Sequence, residues 1–207
     1  MDTISSKVFL YIVIVVSATF HEYMHGWMAY RLGDPTAKNE GRLTLNPIAH
    51  IDPLGTVILP ILFMFSGGGF IGWAKPVPYN PHFLRDPKYG SLKVAAAGPG
   101  ANLVIAVFLG LLFRLGGIIP AFGVLGGDFF YLLAIIIYVN ISLMLFNLIP
   151  LPPLDGSKIF ADLFPRQWRA VMNLGFFGVL IALFIAFYFL GPLAGLTFWA
   201  ITGSNFF

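Results

Sequence analysis

The chain has 207 residues, of which 58% are hydrophobic and 10% are charged. An ordinary soluble domain has roughly 45–50% apolar and 25% charged residues, so the composition predicts a polytopic membrane protein with no attached soluble domain. Cysteine is absent, which excludes disulfides and thiolate metal sites, and the net charge of +3 includes no basic run typical of nucleic-acid binding.

The first predicted helix runs from about Ile4 to Leu32. Residues 8–18 are nearly all apolar, and Gly33-Asp34-Pro35 supplies a stop. The beginning resembles a secretory signal peptide, but no A-x-A-like cleavage site is present. We therefore expect this segment to remain on the chain as a membrane helix.

The region after this helix changes character three times. Thr36 to Asp52 is polar and contains GRLTLNP, a short alternating stretch that favours an extended or β segment. Leu54 to Phe65 is apolar but short for a span and contains Pro60, so a re-entrant or broken helix competes with a transmembrane one. Ser66 to Phe83 is rich in glycine and proline, which predicts a loop or extended chain.

Further apolar segments predict more membrane helices: Val94–Phe113, Phe129–Pro150, Val171–Leu190 and, after a break at Gly191-Pro192, Leu193–Ile201. We therefore expect an all-α polytopic membrane protein. It would be a bundle of about five to six transmembrane or re-entrant helices, with a short membrane-associated β element after the first helix. Residues 1–207 would form a single domain, with a core at about 4–164 and C-terminal helices at about 170–203.

The basic residues predict the sidedness of the chain. Of the 12 Lys and Arg, seven fall between Arg31 and Lys93 and three between Lys158 and Arg169. By the positive-inside rule both regions are cytoplasmic, and the loop after Arg114 is outside. If the first basic region is all on one side, Leu54 to Phe65 must enter the membrane and return.

The stretch TFHEYMHGW contains the clearest chemical signal. On a helix, His21 and His25 project from one face, which suits two imidazole ligands of one Zn²⁺. Glu22 follows the first ligand and could act as general base on a water whose pKa the metal lowers. Ionisable groups inside a membrane helix are costly and usually functional, which favours this reading over a chance match.

A catalytic zinc site usually has a third protein ligand, and Asp155 is the best candidate among the remaining carboxylates and imidazoles. It follows NLIPLPP, at the membrane boundary expected on the cytoplasmic side. The alternative is a plain helix N-cap. His50 and Asp52 form a weaker candidate pair, for which a capping or loop role is the better interpretation.

Three amides lie in the predicted helices or at their ends. Asn102 follows AAAGPG, and Asn147 lies eight residues before Asp155. Either could donate to a developing oxyanion, as side-chain amides do in acyl transfer. Interhelical packing is at least as good an interpretation of Asn102, and it is the better one for Asn140.

The motifs HEYMH (21–25), AGPGAN (97–102) and NLIPLPPLDG (147–156), in this order in a hydrophobic chain, resemble the site-2 protease family of intramembrane zinc metalloproteases. The similarity is to the small prokaryotic branch without a PDZ domain. GRLTLNPIAHIDPLGT (41–56) and GWAKPVPYNP (72–81) are also typical of that branch. One departure is Ser157, where the family often has a second glycine after L-D-G.

The resemblance implies a specific site. His21, His25 and Asp155 would bind one Zn²⁺ per chain, Glu22 would be the general base, and Asn147 would hold the substrate carbonyl or its oxyanion. An edge strand, either Arg42–Leu45 or Val77–Tyr79, would pair with unwound substrate.

The expected protein is thus a multi-pass enzyme of the cell membrane with its active site on the cytoplasmic side. It would hydrolyse peptide bonds within transmembrane segments of single-span membrane proteins in the lipid bilayer, and the sequence leaves open whether it forms an oligomer. The alternatives are a divalent-metal transporter and a catalytically silent zinc-binding membrane scaffold.

Overall fold

The computed structural model describes residues 3–66, 72–118, 126–174 and 176–206, and the described chain is helical with no β-strand. The helices are α1 (Thr3–Arg31), α2 (Thr36–Asn39), α3 (Leu59–Ser66), α4 (Gly90–Ile118), α5 (Gly126–Asn147), α6 (Asp155–Leu163), α7 (Pro165–Met172), α8 (Phe176–Ile185) and α9 (Gly191–Thr202). The chain divides into two compact units, Met1–Gly90 and Ser91–Phe207.

Four helical stretches in the described residues are long and apolar enough to cross a membrane: Ser5–Arg31, Gly90–Gly116, Gly126–Asn147 and Leu183–Thr202. A shorter apolar helical stretch covers Pro53–Phe63. These findings confirm a multi-pass, all-helical membrane protein. The expected count of five to six membrane helices, and the re-entrant course of Leu54 to Phe65, remain predictions.

The end of α1 follows from its sequence. Gly33 has φ +107°, a conformation that glycine adopts without a Cβ penalty. The N–H of Gly33 donates to Tyr30 O, and the N–H of Asp34 donates to Ala29 O. This is the Schellman arrangement, and it confirms the stop predicted at Gly33-Asp34-Pro35.

The rest of the first unit contacts α1 through short helical turns. A π-helical turn at Pro53–Ile58 leads directly into α3, and Asp52 caps it by accepting from the N–H groups of Leu54 and Gly55. The Tyr11 hydroxyl of α1 donates to Thr56 O at 2.7 Å. The whole helical course from 53 to 66 is about 21 Å long, shorter than the roughly 30 Å hydrocarbon core.

The predicted β element is not found in the described residues, and that prediction is wrong for both candidate stretches. Arg42–Leu45 is irregular, with bends at residues 43–45, and the N–H groups of Arg42 and Leu43 both donate to Ala37 O. Val77–Tyr79 has no regular secondary structure. Residues 67–71 of the predicted loop and 119–125 of the outside loop lie beyond the described ranges.

In the second unit, α4, α5 and α9 share one apolar core, and α5 packs against α9. The buried members of that core are Ala106, Leu133, Ala134, Ile137, Ile141, Ala194 and Phe198. Helices α4 and α9 approach closely at Gly110, where an added Cβ would lie 2.3 Å from Ile201 Cγ2. Small residues of this kind allow close helix packing in membranes.

The predicted break at Gly191-Pro192 does not interrupt the helix. A π-helical turn at Ala186–Leu190 joins α8 to α9, so the chain remains helical from 176 to 202. Proline clashes with the carbonyl one turn earlier and lacks the N–H of a regular turn. A wider π turn before Pro192 accommodates both defects without ending the helix.

Candidate metal centre and general base

Helix α1 brings His21 and His25 together as their spacing predicts. Their Nε2 atoms are 3.0 Å apart, and the rings meet edge to face with centroids 4.6 Å apart. Both side chains are buried, at 5% and 8% exposure. Two imidazole nitrogens this close repel through their lone pairs unless a proton or a cation lies between them.

The residues present fit a zinc ion. Ligand atoms of His21, Glu22 and His25 all lie within 4.8 Å of one another. Two nitrogens at the usual Zn–N distance of about 2.0–2.1 Å would be about 3.3–3.4 Å apart in a tetrahedral site. The observed Nε2 separation of 3.0 Å therefore differs by a few tenths of an ångström, which small ring rotations can supply.

The carboxylate of Glu22 is held by the main chain of another segment. Its Oε2 accepts a hydrogen bond of 2.8 Å from the N–H of Val77, and the side chain is half-buried. A hydrogen bond from a fixed amide to a carboxylate is charge-assisted and restricts the rotation of the group. Glu22 is thus oriented beside the two imidazoles.

Val77 lies in residues 72–80, which form neither helix nor strand. Proline at 76, 78 and 81 restricts the residues before it to extended dihedrals, and we call this stretch the extended segment. Hydrogen bonds fix the path of its first part. Lys75 donates its N–H to His50 O at 2.9 Å. The buried Arg42 donates from Nη2 to Lys75 O at 2.8 Å and to Pro76 O at 3.2 Å. These bonds anchor the extended segment just before Val77.

The same segment is also fixed after Val77. Asn80 donates its N–H to Asp34 Oδ2 at 2.6 Å. Asp34 is fully buried, and its Oδ1 accepts from the N–H and hydroxyl of Thr36. At Gly26, next to His25, an added Cβ would lie 3.0 Å from Val77 Cγ1. Glycine at this position lets the extended segment approach α1.

Sequence reasoning missed the role of the Val77 amide. It named Val77 only as part of a strand candidate, and a main-chain donor carries no residue-type signal. The one hint is the pair Pro76 and Pro78, which have no N–H, so Val77 carries the only donor of these three residues. The N–H of Val77 donates to Glu22, so it is not available for pairing with a strand.

Asp155 lies in the second unit as the first residue of α6. The N-cap position is occupied by Leu154, and Asp155 lies one residue further on, in the first turn of the helix. Both interpretations of Asp155, a third metal ligand or a carboxylate that stabilises the start of a helix, stay predictions. The Asp155 side chain is 11% exposed, and its Oδ1 lies 4.0 Å from Lys158 Nζ. An added Cβ on Gly156 would lie 2.3 Å from Leu148 O, so glycine is required for this close backbone approach.

The three amides separate into two groups. Asn102 and Asn140 are both fully buried, and Asn102 Nδ2 donates to Asn140 Oδ1 at 2.9 Å while Asn140 Nδ2 donates to Ile136 O. This favours packing between α4 and α5 for both. Asn147 is half-buried at the end of α5, and its Nδ2 donates to Leu143 O at 3.0 Å.

His50 and Asp52 do not join the candidate metal group. His50 is buried, its Nε2 lies 2.8 Å from Thr44 O, and Asp52 caps the π-helical turn. His82 is exposed. In the described part of the chain, the only group of three potential ligands found is that of His21, Glu22 and His25.

Comparison with known proteins agrees with this geometry. The family model described as "Peptidase family M50" matches residues 9–124 and 114–191. The chain belongs to peptidase family M50. This M50 family is the site-2 protease family of intramembrane zinc metalloproteases, so the protein is a zinc-dependent peptidase that acts on membrane proteins within the lipid bilayer.

Several curated relatives are similar along most of the chain. "Putative zinc metalloprotease YwhC" of Bacillus subtilis is 41% identical over 95% of this chain and 87% of the relative. "Putative zinc metalloprotease Rip2" of Mycolicibacterium smegmatis is 35% identical over 87% of this chain and 69% of the relative. "Putative zinc metalloprotease MJ0611" of Methanocaldococcus jannaschii is 31% identical over 75% of this chain and 71% of the relative.

No solved structure gives a significant match to this M50 peptidase. The family assignment gives no support to the alternatives of a divalent-metal transporter or a silent scaffold.

Proposed function

We propose that this M50 peptidase binds one Zn²⁺ through His21, His25 and Asp155 and cleaves single-span membrane proteins with Glu22 as general base. The observation that carries the proposal is the arrangement of His21, Glu22 and His25 on α1, with the two Nε2 atoms 3.0 Å apart and the carboxylate beside them. Bound zinc supplies a Lewis acid that makes a water molecule nucleophilic near neutral pH.

The proposal for Asp155 is supported by its chemistry. A nearly buried carboxylate is costly unless it is paired or binds a metal. Its position in the L-D-G motif is the one that the family resemblance assigns to the third ligand. We therefore propose that Asp155 completes the donor set.

Glu22 would carry the proton transfers. Its Oε2 is engaged by the Val77 N–H, so we propose that Oε1 accepts the proton of the attacking water. The same carboxyl group would then donate that proton to the nitrogen of the leaving amine. The fixed amide of Val77 would keep the carboxylate in one orientation during both transfers.

Asn147 would stabilise the substrate carbonyl oxygen. One proton of its amide is used by Leu143 O, and an amide carries two, so a donor remains for a substrate oxygen. Donors of this kind stabilise the negative charge that develops on the carbonyl oxygen. We propose this role for Asn147 and a packing role for the buried amides of α4 and α5.

The substrate must be locally unwound before it is cleaved. Every peptide bond of a transmembrane helix is hydrogen-bonded internally, so water and the general base reach a carbonyl only where the helix opens. Single-span proteins with glycine or proline near the cleaved bond would meet this requirement at the lowest cost.

We propose that the active site opens towards the cytoplasm. Seven of the 12 Lys and Arg lie between Arg31 and Lys93, around the end of α1 that follows the histidines. The polar residues between 33 and 52 would be the route for water. Thiol labelling of single cysteines introduced at exposed positions such as Lys38 would test this sidedness, because the natural chain contains no cysteine.

The test of the proposed function is cleavage of a single-span substrate by the purified protein in detergent. The wild type should cleave within the transmembrane segment, lose activity with a zinc chelator and regain it when zinc is restored. The cleaved bond is identified by mass spectrometry of both products. Cleavage only outside the segment, or activity that survives complete zinc removal, would contradict the proposal.

A further inference from the structure

Another polar site lies at the end of α1, beyond the candidate ligands His21 and His25 along the helix. A cavity of about 520 Å³ is lined by Tyr30, Arg31, Gly33 and Arg85, all in the first unit. Its volume is within the range of small-molecule sites. We propose that this Arg31–Arg85 cavity binds a phosphate group, namely that of an anionic phospholipid headgroup.

Neither arginine is explained by an internal ion pair. No carboxylate forms a salt bridge with Arg31 or Arg85 among the residues that the structure describes. The nearest carboxylate in sequence to the helix end, Asp34, is fully buried and accepts hydrogen bonds on both oxygens. Both arginines are exposed, so their guanidinium groups can reach one anion bound at the cavity. The guanidinium fork also matches phosphate geometry.

The site is structured on both sides. Arg85 donates its backbone N–H to Leu32 O at 2.8 Å, which fixes it next to the helix end. Its side chain packs on Gly33, where an added Cβ would lie 3.1 Å from Arg85 Cγ. On the other side, Lys38 Nζ donates to the Tyr30 hydroxyl at 3.0 Å, so the phenolic proton points away from Lys38 and can be donated to an anion.

The position favours a lipid over a free anion. Arg31 is the last residue of the Ser5–Arg31 membrane span, where headgroup phosphates lie. Its guanidinium stacks over Trp27 at 5.5 Å, and Tyr30 is 40% exposed, as expected of aromatic residues at the membrane interface. The exposed Phe83 offers an apolar surface nearby in sequence for an acyl chain.

The proposal is tested by lipid binding to the purified full-length protein. The apparent affinity for phosphatidylglycerol is measured in phosphatidylcholine nanodiscs by thermal stability and native mass spectrometry, for the wild type and for Arg31→Gln/Arg85→Gln. Each guanidinium–phosphate hydrogen bond that is lost should weaken binding about fivefold, so the double variant should bind about thirtyfold more weakly. Lys88→Gln/Arg166→Gln removes the same charge from exposed positions outside the cavity and should stay within twofold.

Further variants and ligands keep the result interpretable. Tyr30→Phe removes one hydroxyl with little effect on folding and should weaken phosphatidylglycerol binding about threefold. This variant tests the cavity if the double arginine variant is unstable. Inorganic phosphate is the second ligand. If phosphatidylglycerol stabilises the protein and inorganic phosphate does not, the ligand is a lipid headgroup. If both stabilise it equally, the cavity is a phosphate site whose ligand is soluble. Unchanged binding by the cavity variants, or an equal loss in the charge-matched control, would overturn the proposal.

Discussion

Replacing Glu22 by glutamine separates the chemistry of this residue from its structural contact. The glutamine side-chain carbonyl can still accept the hydrogen bond that Val77 donates at 2.8 Å, so the extended segment should keep its place. The bond becomes neutral, which should cost about 1 kcal/mol of stability. The base is lost completely, and general-base catalysis contributes about 10²–10⁴ in rate.

We therefore expect Glu22→Gln to lower kcat by at least about a hundredfold, equivalent to about 2.7 kcal/mol, with the protein still folded and loaded with zinc. The assay is cleavage of a single-span substrate in detergent, with zinc content measured on the same sample. Glu22→Ala is the matched comparison, because it removes both the base and the acceptor and should be less stable than Glu22→Gln. A zinc-loaded Glu22→Gln protein with nearly full activity would refute the assignment of the general base.

Three further experiments test the second unit. Asp155→Asn should lower the zinc content of the purified protein at least tenfold. Asp128→Asn, at the exposed start of α5, is the control and should leave the zinc content unchanged. Equal zinc content in the two variants would exclude Asp155 as a ligand. Asn102→Ala and Asn140→Ala should be coupled by about 0.6–1.7 kcal/mol in a double-mutant cycle of unfolding, and additive effects would contradict the 2.9 Å bond. Gly156→Ala should destabilise the folded protein by at least about 1–3 kcal/mol, since the new Cβ would lie 2.3 Å from Leu148 O. A melting temperature equal to that of the wild type would refute this predicted clash.

The candidate ligands on α1 could be predicted because they depend only on local geometry. Four residues is about one helical turn, so the His21–His25 contact follows once the segment is known to be helical. The stop at Gly33 was predictable for the same reason, since glycine and proline act on their own backbone. Composition alone was sufficient to indicate a multi-pass membrane protein.

The features that sequence did not predict depend on partners distant along the chain. The alternating GRLTLNP stretch suggested a strand, but the amides of Arg42 and Leu43 bind a carbonyl of the preceding helix instead. The Gly191-Pro192 dipeptide suggested a break, and the π turn before it prevented one. The hydrogen bond between Val77 and Glu22 joins residues 55 positions apart and uses a backbone group, for which no residue type is diagnostic.

The last of these contacts affects how mutational data on this peptidase should be interpreted. Every amino acid except proline supplies a backbone N–H, so a scan that replaces Val77 by other apolar residues would leave the support of Glu22 in place. Position 77 would then be scored as a simple packing site, consistent with its buried side chain. The orientation of Glu22, the proposed general base, depends on the path of the chain from 72 to 80. Insertions or deletions in that segment would therefore affect activity where substitutions of Val77 do not.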